Sequence, residues 1–264
     1  MSVICVSLIS CSSNDEPTPP PVDPSVIFQD EFASFNSSVW TKETHPAGWT
    51  NSELQSYSPD NVSVGKDGSR TVLILTATRK GNTFVSGRVN SKGKINFTEG
   101  VLEASIKLPK TANGLWPAFW MMGNNSKDWP ACGEIDIMEM GDAQGIKDGT
   151  QARRVNTAIH YGPNSAGHEQ QYFAGSATAD LQDGNYHTYK LVRTAADLKI
   201  YIDGQLFTTY NVSGNEYMQG SFHVLFNLAV GGQFTGIYSA SGITALKDGE
   251  KAMMYVDWVK ISKL

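Results

Sequence analysis

A chain of 264 residues with 40% hydrophobic side chains can bury one sizeable core, and a single β-rich domain of ~230 residues fits it. The net charge of −5 comes without a basic cluster, which argues against nucleic acid as a partner. Six Trp, ten Tyr and eleven Phe suit sugar-ring stacking and sandwich cores equally, so the aromatic count alone decides neither.

Residues 1–10 are short and apolar and run into Leu8-Ile9-Ser10-Cys11, which resembles a bacterial lipobox. That reading makes 1–10 a lipoprotein-type signal peptide and Cys11 the lipidated residue. A plain secretory signal is the alternative, since so short a run is no transmembrane helix. The missing basic segment leaves a start codon further upstream open. Residues 11–25 form a Pro-rich, acidic and semi-rigid linker. Asn14-Asp15-Glu16 resembles signals that send lipoproteins to the outer surface of Gram-negative bacteria, with the periplasm or secretion as alternatives. Of Cys5, Cys11 and Cys132, only Cys132 lies in the mature body, so no intramolecular disulfide is expected and the core must suffice alone. Cys132 reads as a packing residue rather than a nucleophile.

From Val26 onward the pattern is strand and turn, with almost no helical periodicity. Strands are predicted at Thr71–Thr78 and at Val101–Leu108. In the second, Leu102, Ala104, Ile106 and Leu108 share one face and Glu103, Ser105 and Lys107 the other. Glu134-Ile135-Asp136-Ile137 alternates in the same way. Further strands are predicted at Tyr186–Thr194, Leu198–Asp203, Ser221–Val230 and Met253–Ile261. Turns fall at Lys66-Asp67-Gly68, Asp183-Gly184-Asn185 and Asp203-Gly204, and 141–154 and 162–178 read as loops. Many strands without helices point to an antiparallel sandwich or barrel.

Glu139 breaks the alternation, because five residues from Glu134 it should face the apolar side. A β-bulge near Ile137–Met138 would return it to the face of Glu134 and Asp136. Three close carboxyls repel one another, so a purely structural role is hard to argue. They suit retaining glycoside hydrolysis, which needs two carboxyls about 5–5.5 Å apart.

Gly133-Glu134-Ile135-Asp136-Ile137-Met138-Glu139 resembles the active-site strand of glycoside hydrolase family 16 in its bulged, laminarinase-like form. Five further blocks agree in order: Trp49–Tyr57, Ser86–Gly93, Gly114–Gly123, Ala158–Gly162 and Asn227–Gly232; the chain closes on Tyr255–Ile261. Ser52 stands where the family usually has a second Asn, which puts the contact at that position in doubt. The resemblance covers residues 26–264 and implies an all-β, concanavalin-like fold: a two-sheet antiparallel β-jelly roll with a concave substrate cleft. It implies Glu134 as nucleophile, Glu139 as acid/base and Asp136 as their support.

Trp116 and Trp120, four apart on a strand, face the same way and are either cleft platforms or core. Trp129 rims the cleft or joins the core. Asn51 and Arg88 offer donors to sugar hydroxyls, with a surface salt bridge as the alternative for Arg88. The resemblance places His160 near the acids, a core histidine being the alternative. It also implies a structural calcium on the convex side at Glu31, Gly68 and Asp257, against an empty turn. No cofactor is expected for catalysis, and the five His show no i,i+4 pairing or Cys neighbour. The expected protein is a monomeric, lipid-anchored endo-β-glucanase acting on β-1,3 or mixed-linkage β-1,3-1,4 glucan. The rivals are a non-catalytic glycan-binding protein on the same fold, an agar-type galactan hydrolase, and a structural or adhesion domain. Sulfated substrates would want more basic side chains than Arg88 alone provides.

Overall fold

Leu102, Ala104, Ile106 and Leu108 all sit at 4% exposure or less, as their alternation requires, and they face an apolar layer between two sheets. The computed structural model describes Asp23 and Ser25–Leu264. The expected signal peptide, Cys11 and all of the 11–25 linker except Asp23 and Ser25 lie outside the described residues. No helix among the described residues is long and apolar enough to cross a membrane.

The outer sheet runs Gln205–Asn211, Asp197–Ile202, His187–Arg193, Gly100–Lys107, Lys251–Ser262, Arg70–Lys80, Thr83–Ser86 and Gln55–Tyr57. Val26–Asp30 adds to the Lys251–Ser262 strand and Val62–Asp67 to the Arg70–Lys80 strand. The inner sheet runs Glu169–Ser176, Arg154–Tyr161, Glu134–Glu139, Leu115–Gly123, Phe222–Val230, Arg88–Asn90 and Thr41–Lys42. Pairing is antiparallel throughout except between Gln55–Tyr57 and Thr83–Ser86. This is the jelly-roll sandwich that the strand pattern and the resemblance predicted.

Two expectations about loops change. Residues 141–154 carry a helical turn, Ala143–Asp148, capped by the Asp142 carboxylate on the Gly145 amide and ended by Gly149 at φ +68°. Residues 162–178 carry a full edge strand, Glu169–Ser176, whose sequence EQQYFAGS shows no apolar alternation because little of it is buried.

The inner sheet has two chemically distinct faces. Leu115, Phe119 and Met121 point into the main core, while Ala118 and Trp120 form a small separate cluster with Leu225 on the other side. That second side is the floor of the cleft.

Candidate active site

The strand Glu134–Glu139 pairs with Leu115–Gly123 so that Glu134 faces Met122, Asp136 faces Trp120 and Glu139 faces Ala118. Between Asp136 and Glu139 the register shifts against both neighbouring strands, leaving Ile137 as an extra residue. The bulge expected near Ile137–Met138 is therefore present, and it puts all three acids on the cleft face. Ile137 and Met138 both turn into the core, fully buried.

The acids are held by named donors. The Trp116 indole N–H donates to Glu139 Oε1 at 2.9 Å. His160 places Nε2 at 3.2 Å from Asp136 Oδ2 and 3.9 Å from Glu134 Oε1. The approach to Asp136 is off the line of a hydrogen bond, and Asp136 Oδ2, in a side chain 4% exposed, receives none. Burial raises all three carboxyls, and the Asp136 charge adds to the rise of Glu134 and Glu139. Glu134 is pushed up to about 8, first by burial and then by the Asp136 charge, with His160, Arg88 and the Trp129 indole pulling down. Burial takes Asp136 to about 8. Glu139 lies well above the usual carboxylate range, through burial and then the Asp136 charge, against the pull of the Trp116 donor. All three carboxyls therefore hold their protons to higher pH than free carboxylic acids do. A protonated carboxyl beside an ionisable one on the same face is the equipment for acid-assisted glycosyl transfer.

The profile of glycosyl hydrolases family 16 matches residues 50–260. The chain belongs to glycoside hydrolase family 16. A family 16 protein of a Bacteroides ovatus mixed linkage glucan PUL, solved with a G4G4G3G product, superposes at a TM-score of 0.89 with 60% identity, over 89% of this chain and 100% of that one. The laminarinase catalytic domain of Thermotoga maritima gives 0.73 and 26%, over 90% and 98%. Glucan endo-1,3-beta-glucosidase A1 of Niallia circulans is 32% identical over 92% of this chain, which spans only 39% of that relative's length.

The remaining predicted residues of this family 16 domain divide into those near the acids and those elsewhere. Trp116 and Trp120 both lie on the cleft face but are 8% and 9% exposed. Trp116 stacks on Phe234 with centroids 4.6 Å apart, and the Trp120 N–H donates to Asn227 Oδ1 at 2.7 Å. Trp129 is 40% exposed and packs against the His160 and His168 rings. Arg88 is not a surface residue. Only 7% exposed, it donates through Nε to Glu43 Oε2 at 3.0 Å and lies over the Trp120 ring at 4.8 Å. Asn51 and Ser52 both take left-handed φ, +51° and +53°, in a turn closed by the Glu53 N–H on the Thr50 carbonyl. This turn fits against Gly232, where a Cβ would meet the Asn51 carbonyl at 2.7 Å; only glycine permits that approach.

The calcium residues fare differently. Asp257 sits at a bulge in the closing strand, and its carboxylate receives the Arg70 guanidinium. Glu31 accepts from the Gln29 amide at 2.6 Å, and Gly68 is a turn tip at φ +59°. With a guanidinium on the buried carboxylate, this set does not fit a calcium ion, which needs six to eight oxygens around a charge of its own.

Several cleft residues escaped sequence reasoning. Glu53, 6% exposed, accepts from Gln55 Nε2 at 2.5 Å, the Tyr57 hydroxyl at 3.2 Å and Asn51 Nδ2 at 3.1 Å. Asn227 in turn donates to the Tyr57 hydroxyl, so one polar chain runs from Asn51 to Trp120. The alternation Glu53-x-Gln55-x-Tyr57 was the available signal. Trp49, 47% exposed, lies flat on His45 at 3.5 Å. Tyr172, 52% exposed, faces Ala158 across the strand pair and donates to Asn156, itself paired with Glu139. Exposed aromatic side chains next to the acids are thus Trp129 and Tyr172, while Trp49 lies against Arg88.

Proposed function

We propose that this domain hydrolyses β-glucan internally and with retention of configuration, through Glu134 as nucleophile and Glu139 as acid/base. The observation that carries the reading is the bulge, which brings Glu134, Asp136 and Glu139 onto one face of the strand. Glu134 attacks the anomeric carbon as Glu139 gives its proton to the leaving oxygen. The glycosyl ester so formed is then opened by water, whose proton goes to Glu139 while Glu134 leaves as carboxylate. Asp136 holds the pair apart in charge, and His160 and Arg88 supply the positive potential that favours ionised Glu134.

Mixed-linkage β-1,3-1,4 glucan is the favoured substrate, because the two Bacteroides ovatus structures with glucan ligands share 60% and 59% of positions against 26% for the Thermotoga laminarinase. All three acids are kept, which leaves little support for a capture-only protein. The proposal extends to a monomer tethered through lipidated Cys11 to the outer surface; labelled palmitate incorporation that survives Cys11→Ala would remove that part.

Barley mixed-linkage glucan, laminarin and agarose, each incubated with the full chain, test the main reading. Oligosaccharides from a glucan, β-anomers first by NMR, and none from agarose are expected. Initial α-anomers, or glucan bound without products, overturn it.

A further inference from the structure

One further property follows from how Glu134, Asp136 and His160 are set across two strands. Each offers one ligand atom, and the three atoms lie within 4.8 Å of one another. We propose that these residues form a site for a borderline divalent transition-metal ion of the Zn2+ class, one that occupies the cleft in place of substrate.

The spacing suits such an ion. Four-coordinate zinc holds nitrogen and oxygen ligands at about 2.0–2.2 Å, which sets neighbouring ligand atoms about 3.4 Å apart. His160 Nε2 is 3.2 Å from Asp136 Oδ2 and 3.9 Å from Glu134 Oε1, on either side of that value. A small torsion of the Glu134 side chain closes the difference. Two carboxylates and an imidazole leave the fourth position to water, as in zinc sites with an open coordination place.

Asp136 points to the ion independently. Its Oδ2 is buried, accepts no hydrogen bond and lies 3.2 Å from His160 Nε2. A buried carboxylate oxygen without a donor is costly, and a cation offsets that cost directly.

The imidazole is oriented for the task. His160 Nδ1 lies 2.9 Å from His168 Nε2. Two facing ring nitrogens share one proton, and with that proton on Nδ1 of His160 the Nε2 lone pair, on the side of the acids, is free to bind an ion. Metal-binding histidines are fixed through their second nitrogen in this way. Trp129 packs over both rings and is itself 40% exposed, so the site is reached from the cleft mouth.

Titration of ZnCl2 into the full chain, followed by calorimetry in a non-chelating buffer, tests the site without reference to activity. One ion per chain is expected. Asp136→Asn and His160→Gln should each weaken binding at least ~10-fold, and His168→Phe by about 10-fold through the lost acceptor. His187→Gln removes the other imidazole flanked by two carboxylates, Asp183 and Asp203, and should leave binding unchanged. Co2+ bound to the unmodified chain should give the intense visible bands of a four-coordinate ion, a readout that needs no variant to fold. Zinc heat that survives His160→Gln, heat lost only in His187→Gln, no heat at millimolar Zn2+, or a weak six-coordinate cobalt spectrum would each overturn the site. Zinc should also raise the apparent KM for glucan, reversibly with EDTA; that effect alone rests on the proposed hydrolysis. Binding without hydrolysis removes the function and keeps the site, whereas hydrolysis without zinc binding does the opposite.

Discussion

Glu134→Gln should make the protein more stable, and by an amount that depends on pH. The raised Glu134 pKa means that the unfolded chain gives up this proton far more readily than the folded one. Below pH 4.5 both states hold the proton and the group costs nothing. From there to about 8 the unfolded state is progressively favoured, and above about 8 the cost is constant. Each tenfold difference in proton affinity between the two states is worth about 1.36 kcal/mol, so the interval between 4.5 and neutral pH corresponds to at most about 3 kcal/mol. Glutamine keeps the shape and removes the titration. In a domain of this size 1 kcal/mol moves Tm by about 2–4 °C, so a gain of several degrees is expected at pH 7 and almost none at pH 4.5. Differential scanning calorimetry of the wild type and the variant, each at several pH values, measures it. A Tm at pH 7 no higher than wild type, or a gain that does not change with pH, would refute the claim that burial and Asp136 raise this carboxyl. Hydrolysis should be abolished in the same variant, so stability and activity are opposed at this residue.

Trp116→Phe keeps the stack on Phe234 but removes the donor to Glu139. The Glu139 pKa then rises further, so the alkaline limb of the kcat profile should move to higher pH. Arg88→Met leaves Glu43 buried without its cation, and denaturant unfolding should show a loss of about 3–5 kcal/mol, part of which Glu43→Gln in the same background restores. With Arg70 already on Asp257, EDTA and added CaCl2 should both leave Tm unchanged; a rise with calcium would show that the guanidinium gives way.

How much of this was legible in the sequence follows from where the information lies. Strands buried on one face announced themselves, and Gly100–Lys107 was found to within one residue at each end because its core side alternates. The edge strand Glu169–Ser176 has no buried face, so nothing in its residues distinguishes it from a loop until Arg154–Tyr161 pairs with it. The acids were legible because Glu139 violates a pattern its neighbours obey. Of the polar residues around them, His160 entered only through the family resemblance, and the partner of Arg88 was not legible. Arg88 and Glu43 are 45 residues apart, and only the antiparallel pairing of Thr41–Lys42 with Arg88–Asn90 brings one to the other. His160 and His168 likewise lack any metal spacing in the sequence, and the His160 ring meets the acids only across a strand pair.

The bulge also explains how mutually repelling carboxyls are kept together. Two consecutive apolar residues, Ile137 and Met138, occupy one core position's worth of strand, flanked by Ile135 and Met140, and all four are fully buried. A regular strand would restore strict alternation and drive Glu139 into that layer, at a cost of several kcal/mol for an unpaired buried carboxylate. Keeping Ile137 and Met138 in the core therefore forces Glu139 outward, onto the face of Glu134 and Asp136. The energy that opposes their repulsion comes from the opposite side of the same strand. His160 lowers Glu134 and Glu139 alike, while Arg88 and the Trp129 indole act on Glu134 and the Trp116 indole on Glu139.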